Sequence, residues 1–262
     1  YANYKILKKD PNAVIVTAPS DHLIVKQDAF VKVINEGLDF VSSTDALLTL
    51  GIKPSRPETG YGYIQVNGKK DIKNKNINRV KTFTEKPNKE LAKVFYESGE
   101  FLWNAGIFLW SLKSIMNAFD KFLPDVDQLF KEGIDVYNTD KEADFISETY
   151  TECKNISIDY GIMEKADNVF VYASDFGWAD LGTWGSLYEN SSKDKNKNAI
   201  IGDLVFTYNV NNSVVNVPKD KLVVLQGLQD YIVVESEGVL LVCKKEDEQE
   251  IKQYVNDIKL KL

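Results

Sequence analysis

The sequence predicts a mixed α/β domain followed by a small, strand-rich unit. Three observations carry this reading. Apolar runs of strand length alternate with stretches of helical period from residue 14 to about residue 190. From residue 199 onward the pattern changes to six short alternating segments with turn residues between them. Between the two lies SSKDKNKN (residues 191–198), which has no apolar residue and is the best candidate boundary. The domains are therefore expected at 1–190 and 199–262.

Composition sets outer bounds. The 262 residues are 44% hydrophobic, enough for one large packed core and a small second one. A net charge of −7 suits neither duplex DNA nor RNA, because such surfaces need clustered cations. No apolar run approaches the length of a membrane span. Cys153 and Cys243 stand far apart with no CxxC or Cys/His cluster, which argues against zinc and redox motifs. A reducing, cytoplasmic compartment is expected.

Each element has a local reason. Residues 1–9 read as the back half of an amphipathic helix. Tyr4 and Leu7 share a face, and Asp10-Pro11-Asn12 stops the helix. No N-cap precedes it, so upstream sequence is expected to have been removed. Residues 14–17 (VIVT) read as a buried strand ended by Pro19, leaving Asp21 just past its carboxyl end. Asp28 is expected to cap a helix that turns Ala29, Phe30, Val33, Ile34, Leu38 and Val41 to one face.

Residues 46–52 are apolar except at Thr49 and Gly51 and read as a central strand covered on both faces. A loop with two prolines (53–60) leads to a strand at 61–66. Residues 67–78, polar and lysine-rich, are expected to form an exposed hairpin turn before a strand at 79–84. Asn88 should cap a helix with Leu91, Ala92, Phe95 and Tyr96 inward, ended by Gly99. Residues 101–112 read as an apolar strand interrupted at Asn104-Ala105-Gly106. Ser111 should open a helix carrying Leu112, Ile115, Met116 and Phe119, and Pro124 suits the first turn of another. Residues 157–165 read as a short helix, and 169–173 as a strand that delivers the loop from Asp175 to Asp180. Residues 182–189 are again helical. Strands follow at 199–201, 204–208, 213–217, 222–225, 231–235 and 239–243, and an amphipathic helix at 246–260 closes the chain.

Asp21 and Asp180 each follow a β-rich segment, where ligands of open α/β sheets bind. They are expected to meet across a cleft and hold Mg²⁺, which needs only one or two carboxylates beside phosphate oxygens and water. Taken singly, Asp21 fits an Asx turn and Asp180 a helix N-cap equally well. His22 is the only histidine, and no GxSxG elbow accompanies it, so Ser-His-Asp chemistry is not supported. The glycines and lysine of residues 62–70 do not match phosphate-loop spacing. Glu85-Lys86 before Pro87 fits a solvated turn as well as a ligand contact. Asn104, inside an apolar strand, must find partners in the protein or in a ligand. Trp178 and Trp184 flank Asp180 and suit either packing or a stacking face.

The segments APSDHLI, TGYGYI, FTEKP, LWNAGIFLW, SIDYGIMEK and DFGWADLGTW, in that order, resemble the sugar-1-phosphate nucleotidylyltransferases. The closest likeness is to the branch that uses GTP and mannose 1-phosphate. It covers nearly the whole chain. The resemblance implies a Rossmann-like nucleotide-diphosphosugar transferase fold, a mixed α/β sheet lacking its N-terminal part. The small C-terminal β domain would resemble a short left-handed β-helix, with a possible homodimer formed through it.

The implied reaction is Mg²⁺-dependent transfer of GMP from GTP to mannose 1-phosphate, giving GDP-mannose and pyrophosphate. Asp21 and Asp180 would be the catalytic, metal-binding carboxylates. Gly60, Tyr61 and Gly62 would approach the sugar through the backbone. Glu85 would bond sugar hydroxyls, Lys86 the sugar or its phosphate, and Asn104 the ring, with Asp159 and Glu164 on the same side. The family's opening GGxGxRxWP loop is not matched here. The chain therefore resembles a fragment lacking the nucleotide-binding segment, and alone it is expected to be inactive. Another hexose-1-phosphate nucleotidylyltransferase, or a non-catalytic assembly or regulatory protein of this fold, are the alternative readings.

Overall fold

The computed structural model describes residues 1–70 and 74–260. The chain divides into two compact units, one of Tyr1–Ser20 and Ile24–Trp178, the other of Asp21–Leu23 and Ala179–Leu262.

In chain order the elements are α1 (Ala2–Leu7), β1 (Val14–Thr17), β2 (Leu23–Ile24), α2 (Gln27–Ser42), β3 (Leu47–Ile52), β4 (Tyr63–Lys70), β5 (Ile77–Thr84), α3 (Lys89–Ser98) and β6 (Phe101–Ser111). There follow α4 (Leu112–Phe122), α5 (Pro124–Lys131), α6 (Glu142–Glu152), a single π-turn at Asp159–Met163, β7 (Val169–Ser174) and β8 (Trp178–Ala179). The first unit is built on a six-stranded mixed sheet in the order β1-β6-β3-β7-β5-β4. Only β3 and β7 among its strand pairs run parallel.

Strand β3 is the expected centre. Leu47, Leu48 and Leu50 are fully buried, and side-chain alternation sends Leu47 to one face and Leu48 and Leu50 to the other. One core forms with Phe108, Trp110, Ile115 and Val169. The other forms with Val33 and Val41 of α2, Ile107 and Leu109. Burial on both sides explains the nearly continuous apolar run.

Strand β6 organises its neighbours. Its carboxyl half pairs with β1 and its amino half with β4, while β3 runs along its other edge. Against β3 the register shifts: Thr49 faces Phe108 but Gly51 faces Asn104, so Leu50 alone spans residues 105–107. The expected interruption is this β-bulge, and Gly106 supplies the left-handed backbone (φ 68°) that it requires.

Several expectations needed correction. Strand β1 is not buried: Val14 and Val16 are each 37% exposed, because β1 has a single neighbour at the sheet edge. Asp28 lies in the first turn of α2, whose cap is Lys26 without a side-chain bond. Asn88 and Gly99 bound α3 as expected, but Leu91 and Tyr96 are exposed and only Ala92 is fully buried. Residues 157–165 hold a π-turn rather than an ordinary helix. Helix α6 was not foreseen, because its polar residues break up the apolar period. Strands β4 and β5 pair as an antiparallel hairpin; residues 71–73 of the expected turn lie outside the described residues.

The second unit contains α7 (Trp184–Asn190), β9 (Ala199–Ile201), β10 (Val205–Tyr208), β11 (Val214–Asn216), β12 (Val223–Gln226), β13 (Tyr231–Ser236) and β14 (Val239–Lys244). A 3₁₀ turn at Lys245–Glu250 and α8 (Ile251–Lys259) follow. Alternate strands pair in parallel: Val214 lies between Ala199 and Ile232, and β10 pairs with β12. The chain thus coils, returning to stack each segment on the one before. The buried Asn198 ties one corner, donating to the Val210 carbonyl at 2.9 Å and accepting from the Ser213 N–H at 3.1 Å. Asn209, Asn212 and Asp230 turn the corners in left-handed conformation. The expected helix at 246–260 begins later, since the 3₁₀ turn places Glu248 on the amino end of α7.

Gly51 has no room for a side chain between β7 and β6. A Cβ there would lie 2.6 Å from Val171 Cγ2 and 2.8 Å from Leu102 Cδ1. Gly51→Ala should therefore destabilise the fold by about 2 kcal/mol through overpacking, read as a lower urea midpoint at unchanged slope.

Candidate functional site

Six of the expected sugar-side residues come together in the first unit, around the β6 bulge. Asn104 is 8% exposed and its orientation is fixed. Its Oδ1 accepts from the Thr49 hydroxyl at 2.7 Å and from the Gly106 N–H at 3.2 Å. The Gly106 N–H can only donate and so identifies Oδ1 as the oxygen; Nδ2 therefore faces Asp159 and donates to its Oδ1 at 2.9 Å. The Asn104 N–H donates to the Gly62 carbonyl at 2.8 Å. A Cβ on Gly62 would lie 2.5 Å from Glu85 Oε2 and 3.3 Å from Asn104 Cβ, so a side chain there would have to push the Glu85 carboxylate aside. Tyr61 packs edge-on against Trp103 and Trp178.

The π-turn secures the remaining side. The Glu164 N–H donates to the Asp159 carbonyl, five residues back, and the Glu164 carboxylate accepts from the Glu85 N–H at 3.0 Å. Tyr160 donates its hydroxyl to the Glu85 carbonyl at 3.4 Å. Lys86 Nζ pairs with Glu85 Oε1 at 2.9 Å, with the Glu85 side chain 6% and that of Lys86 55% exposed. Sequence reasoning missed Thr49. The signal was present: a hydroxyl in the middle of a strand otherwise buried on both faces.

Asp21 and Asp180 belong to the second unit. Asp21 is exposed and Asp180 half-buried. Asp180 does not cap α7; Thr183 does, accepting from the Ser186 N–H, and Glu248 accepts from Gly185 at 3.0 Å. Leu181 takes a left-handed conformation (φ 54°), and a Cβ on Gly182 would come 3.0 Å from Asp180 Oδ2. Trp184 packs with Tyr188 and Ala199, and Trp178 with Tyr61 and Trp103, so both tryptophans serve packing. Among the described residues no three His, Cys, Asp or Glu side chains form a metal-binding group.

Charge is concentrated on acceptors. Burial, and then the negative charge of Glu85, push the Asp159 carboxyl up to about 6, against the pull of the Asn104 bond and of Lys86. The bond to Glu85 raises Lys86 above the usual lysine range and keeps it cationic. Because Asp159 binds its proton more tightly in the folded than in the unfolded chain, its contribution is full below pH 4. That contribution disappears as pH rises through 6. Asp159→Asn, which keeps the oxygen that Asn104 needs, should match wild-type stability near pH 4 and exceed it at pH 7.5. Thermal melts across that range check the sign. Carbon-13 NMR of the aspartate carboxyls should show one midpoint near 6.

The Nucleotidyl transferase family profile matches residues 1–197. A protein named mannose-1-phosphate guanylyltransferase from Escherichia coli is 34% identical over 261 residues, covering 98% of this chain and 55% of the relative. One of the same name from Salmonella montevideo is 36% identical over 266 residues, covering 99% and 55%. The chain thus spans about half the length of these curated relatives. The crystal structure of mannose-1-phosphate geranyltransferase from Thermus thermophilus superposes with a TM-score of 0.80 at 26% identity, over 98% of this chain and 73% of that one. No described helix is long and apolar enough to cross a membrane. Six ordered sequence segments, the mixed sheet and a profile match over residues 1–197 lead to one statement: this chain belongs to the nucleotidyl transferase family.

Proposed function

We propose that the protein carrying this chain transfers GMP from GTP to mannose 1-phosphate, releasing pyrophosphate. The observation that carries the reading is the fixed constellation of Asn104, Asp159, Glu85 and Gly62. It is supported by relatives named for this activity across nearly the whole chain. Carboxylate oxygens accept, and sugar hydroxyls donate. Among the described residues Nδ2 of Asn104 has one protein acceptor, Asp159, which leaves its second N–H for a ring hydroxyl. Gly62 brings bare backbone to the same place. Asp159 and Glu164 act chiefly by holding Asn104 and Glu85 in position, and Lys86 offers the cation on this side for the sugar phosphate.

The nucleophile is a phosphate oxygen that is already anionic, so no protein base needs to remove a proton. The new bond joins this oxygen to the α-phosphorus as the bond to the departing pyrophosphate breaks. The protein's part is alignment and charge neutralisation. Asp21 and Asp180 would hold Mg²⁺. Two hard oxygen donors suit that ion, which shares its coordination sphere with phosphate oxygens and water. When bound, the ion supplies positive charge for the triphosphate. The parallel coil of β9 to β13 supports a short left-handed β-helix, and the exposed Phe206, Tyr208 and Val224 support self-association through it. Cytoplasmic residence agrees with two free cysteines.

GDP-mannose formation from GTP and mannose 1-phosphate, with the other nucleoside triphosphates as competitors, tests the reading. Preference for another nucleotide or another hexose 1-phosphate would replace it. Asp21→Ala and Asp180→Ala should each lower kcat by about a hundredfold or more at unchanged melting temperature. Wild-type rates in both would remove the metal assignment. Asn104→Ala should raise KM for mannose 1-phosphate about tenfold and leave KM for GTP nearly unchanged.

A further inference from the structure

The loop before Gly62 contains a buried acid that the proposed function does not use. Glu58 is 3% exposed. Its Oε2 accepts from Arg56, at 3.3 Å from Nε and 3.1 Å from an η nitrogen. Its Oε1 accepts from the Gly60 N–H at 3.0 Å. Its own N–H donates to the Tyr63 hydroxyl at 2.8 Å, and Tyr63 is fully buried. The Arg56 guanidinium lies over the Trp103 ring, 5.4 Å from the centroid, and Tyr61 meets the same ring edge-on at 5.1 Å. One residue thus ties positions 56, 60 and 63 together, and Trp103 stands beside Asn104 on β6.

We propose that Glu58 is a positioning residue: its carboxylate, clamped by Arg56, sets the backbone of Gly60–Gly62 for contact with the sugar phosphate. Two features require a carboxylate. Donors approach both of its oxygens from different sides, and an amide can satisfy only one of them, presenting N–H to the other. The site is also buried, where a donor facing a donor cannot turn to water. The backbone of Gly62 has little latitude, because its carbonyl is held by Asn104 and its Cα faces Glu85. A loosened Gly60 therefore shifts the edge that the substrate meets. This inference rests on the sugar-side reading of Asn104 and Gly62.

The test uses the whole chain with mannose 1-phosphate as probe, in Glu58→Gln, Arg56→Gln and Asn104→Ala. Hydrogen exchange of peptides over residues 59–63 should quicken about tenfold in Glu58→Gln and Arg56→Gln, with the β3 core unchanged. Calorimetric affinity for mannose 1-phosphate should fall about tenfold in both. Unchanged exchange at 59–63, or quickened exchange with wild-type affinity, overturns the proposal. A loss in Asn104→Ala with none in the other two overturns it while sparing the sugar-side reading. Wild-type chain that does not bind mannose 1-phosphate overturns that reading, and this inference with it. Should Glu58→Gln fail to fold, Arg56→Gln decides by the same two measurements, since it removes the clamp and leaves the Glu58 carboxylate itself in place.

Discussion

The hydroxyl of Thr49 on Oδ1 of Asn104 is the bond on which the sugar-side arrangement depends. An asparagine amide has two nearly equivalent ends, and only its partners decide which one points where. The Gly106 N–H fixes which end is the oxygen, the nitrogen then faces Asp159, and the Thr49 hydroxyl holds that oxygen from the centre of the sheet. The bond exists because β6 bulges past β3 at this point, letting a side chain from the sheet's centre reach Asn104 rather than pass it in register. Without the bulge, Asn104 would be one more buried polar residue seeking a partner. With it, the residue is a fixed donor held by the most deeply buried strand in the unit.

That fixed donor sits among acceptors. Glu85, Asp159 and Glu164 contribute three carboxyls and Lys86 one cation, and each carboxyl has a named protein partner. An environment of this kind suits a neutral polyol, whose hydroxyls both donate and accept. It repels phosphate except at Lys86. The phosphates of a nucleotide need positive charge, and this cluster, with its single lysine, offers little of it. Asp159 holds its proton more tightly first because it is buried and then because Glu85 is a second acid beside it, which Lys86 does not offset.

Much of this was legible in the residues, for identifiable reasons. Strand β3 was readable because burial on both faces leaves an unbroken apolar run. The caps Asn88 and Ser111 and the first-turn Pro124 were readable because they act within three residues of where they stand. The six strands of the second unit were readable because turn residues separate them. The edge position of β1 was not, since VIVT looks the same in the middle of a sheet as at its margin. Nor was parallel stacking in the second unit, because pairing partners lie a full coil apart. At the site, the ordered segments drew attention to Asn104, Glu85 and Asp159. The ties that hold them run from Thr49, Tyr160 and Glu164, and such bonds connect distant parts of the chain without leaving a local pattern.

Lys86 shows what those distant ties accomplish. It adopts a left-handed backbone (φ 45°) directly before Pro87, a conformation that its side chain disfavours by about 1–3 kcal/mol. Such strain persists only where the surroundings determine it more than once. Here the residue before it is held at both backbone groups, its carbonyl by Tyr160 of the π-turn and its N–H by Glu164, which directly follows that turn. The π-turn is itself constrained: a Cβ on Gly161 would lie 2.8 Å from Leu123, so glycine lets the wide turn settle against α4 and α5. Two unusual local geometries, neither favoured alone, thus fix one another. The product is a lysine and a glutamate directed to one side of the bulge, which an ordinary turn and an ordinary helix would have sent elsewhere.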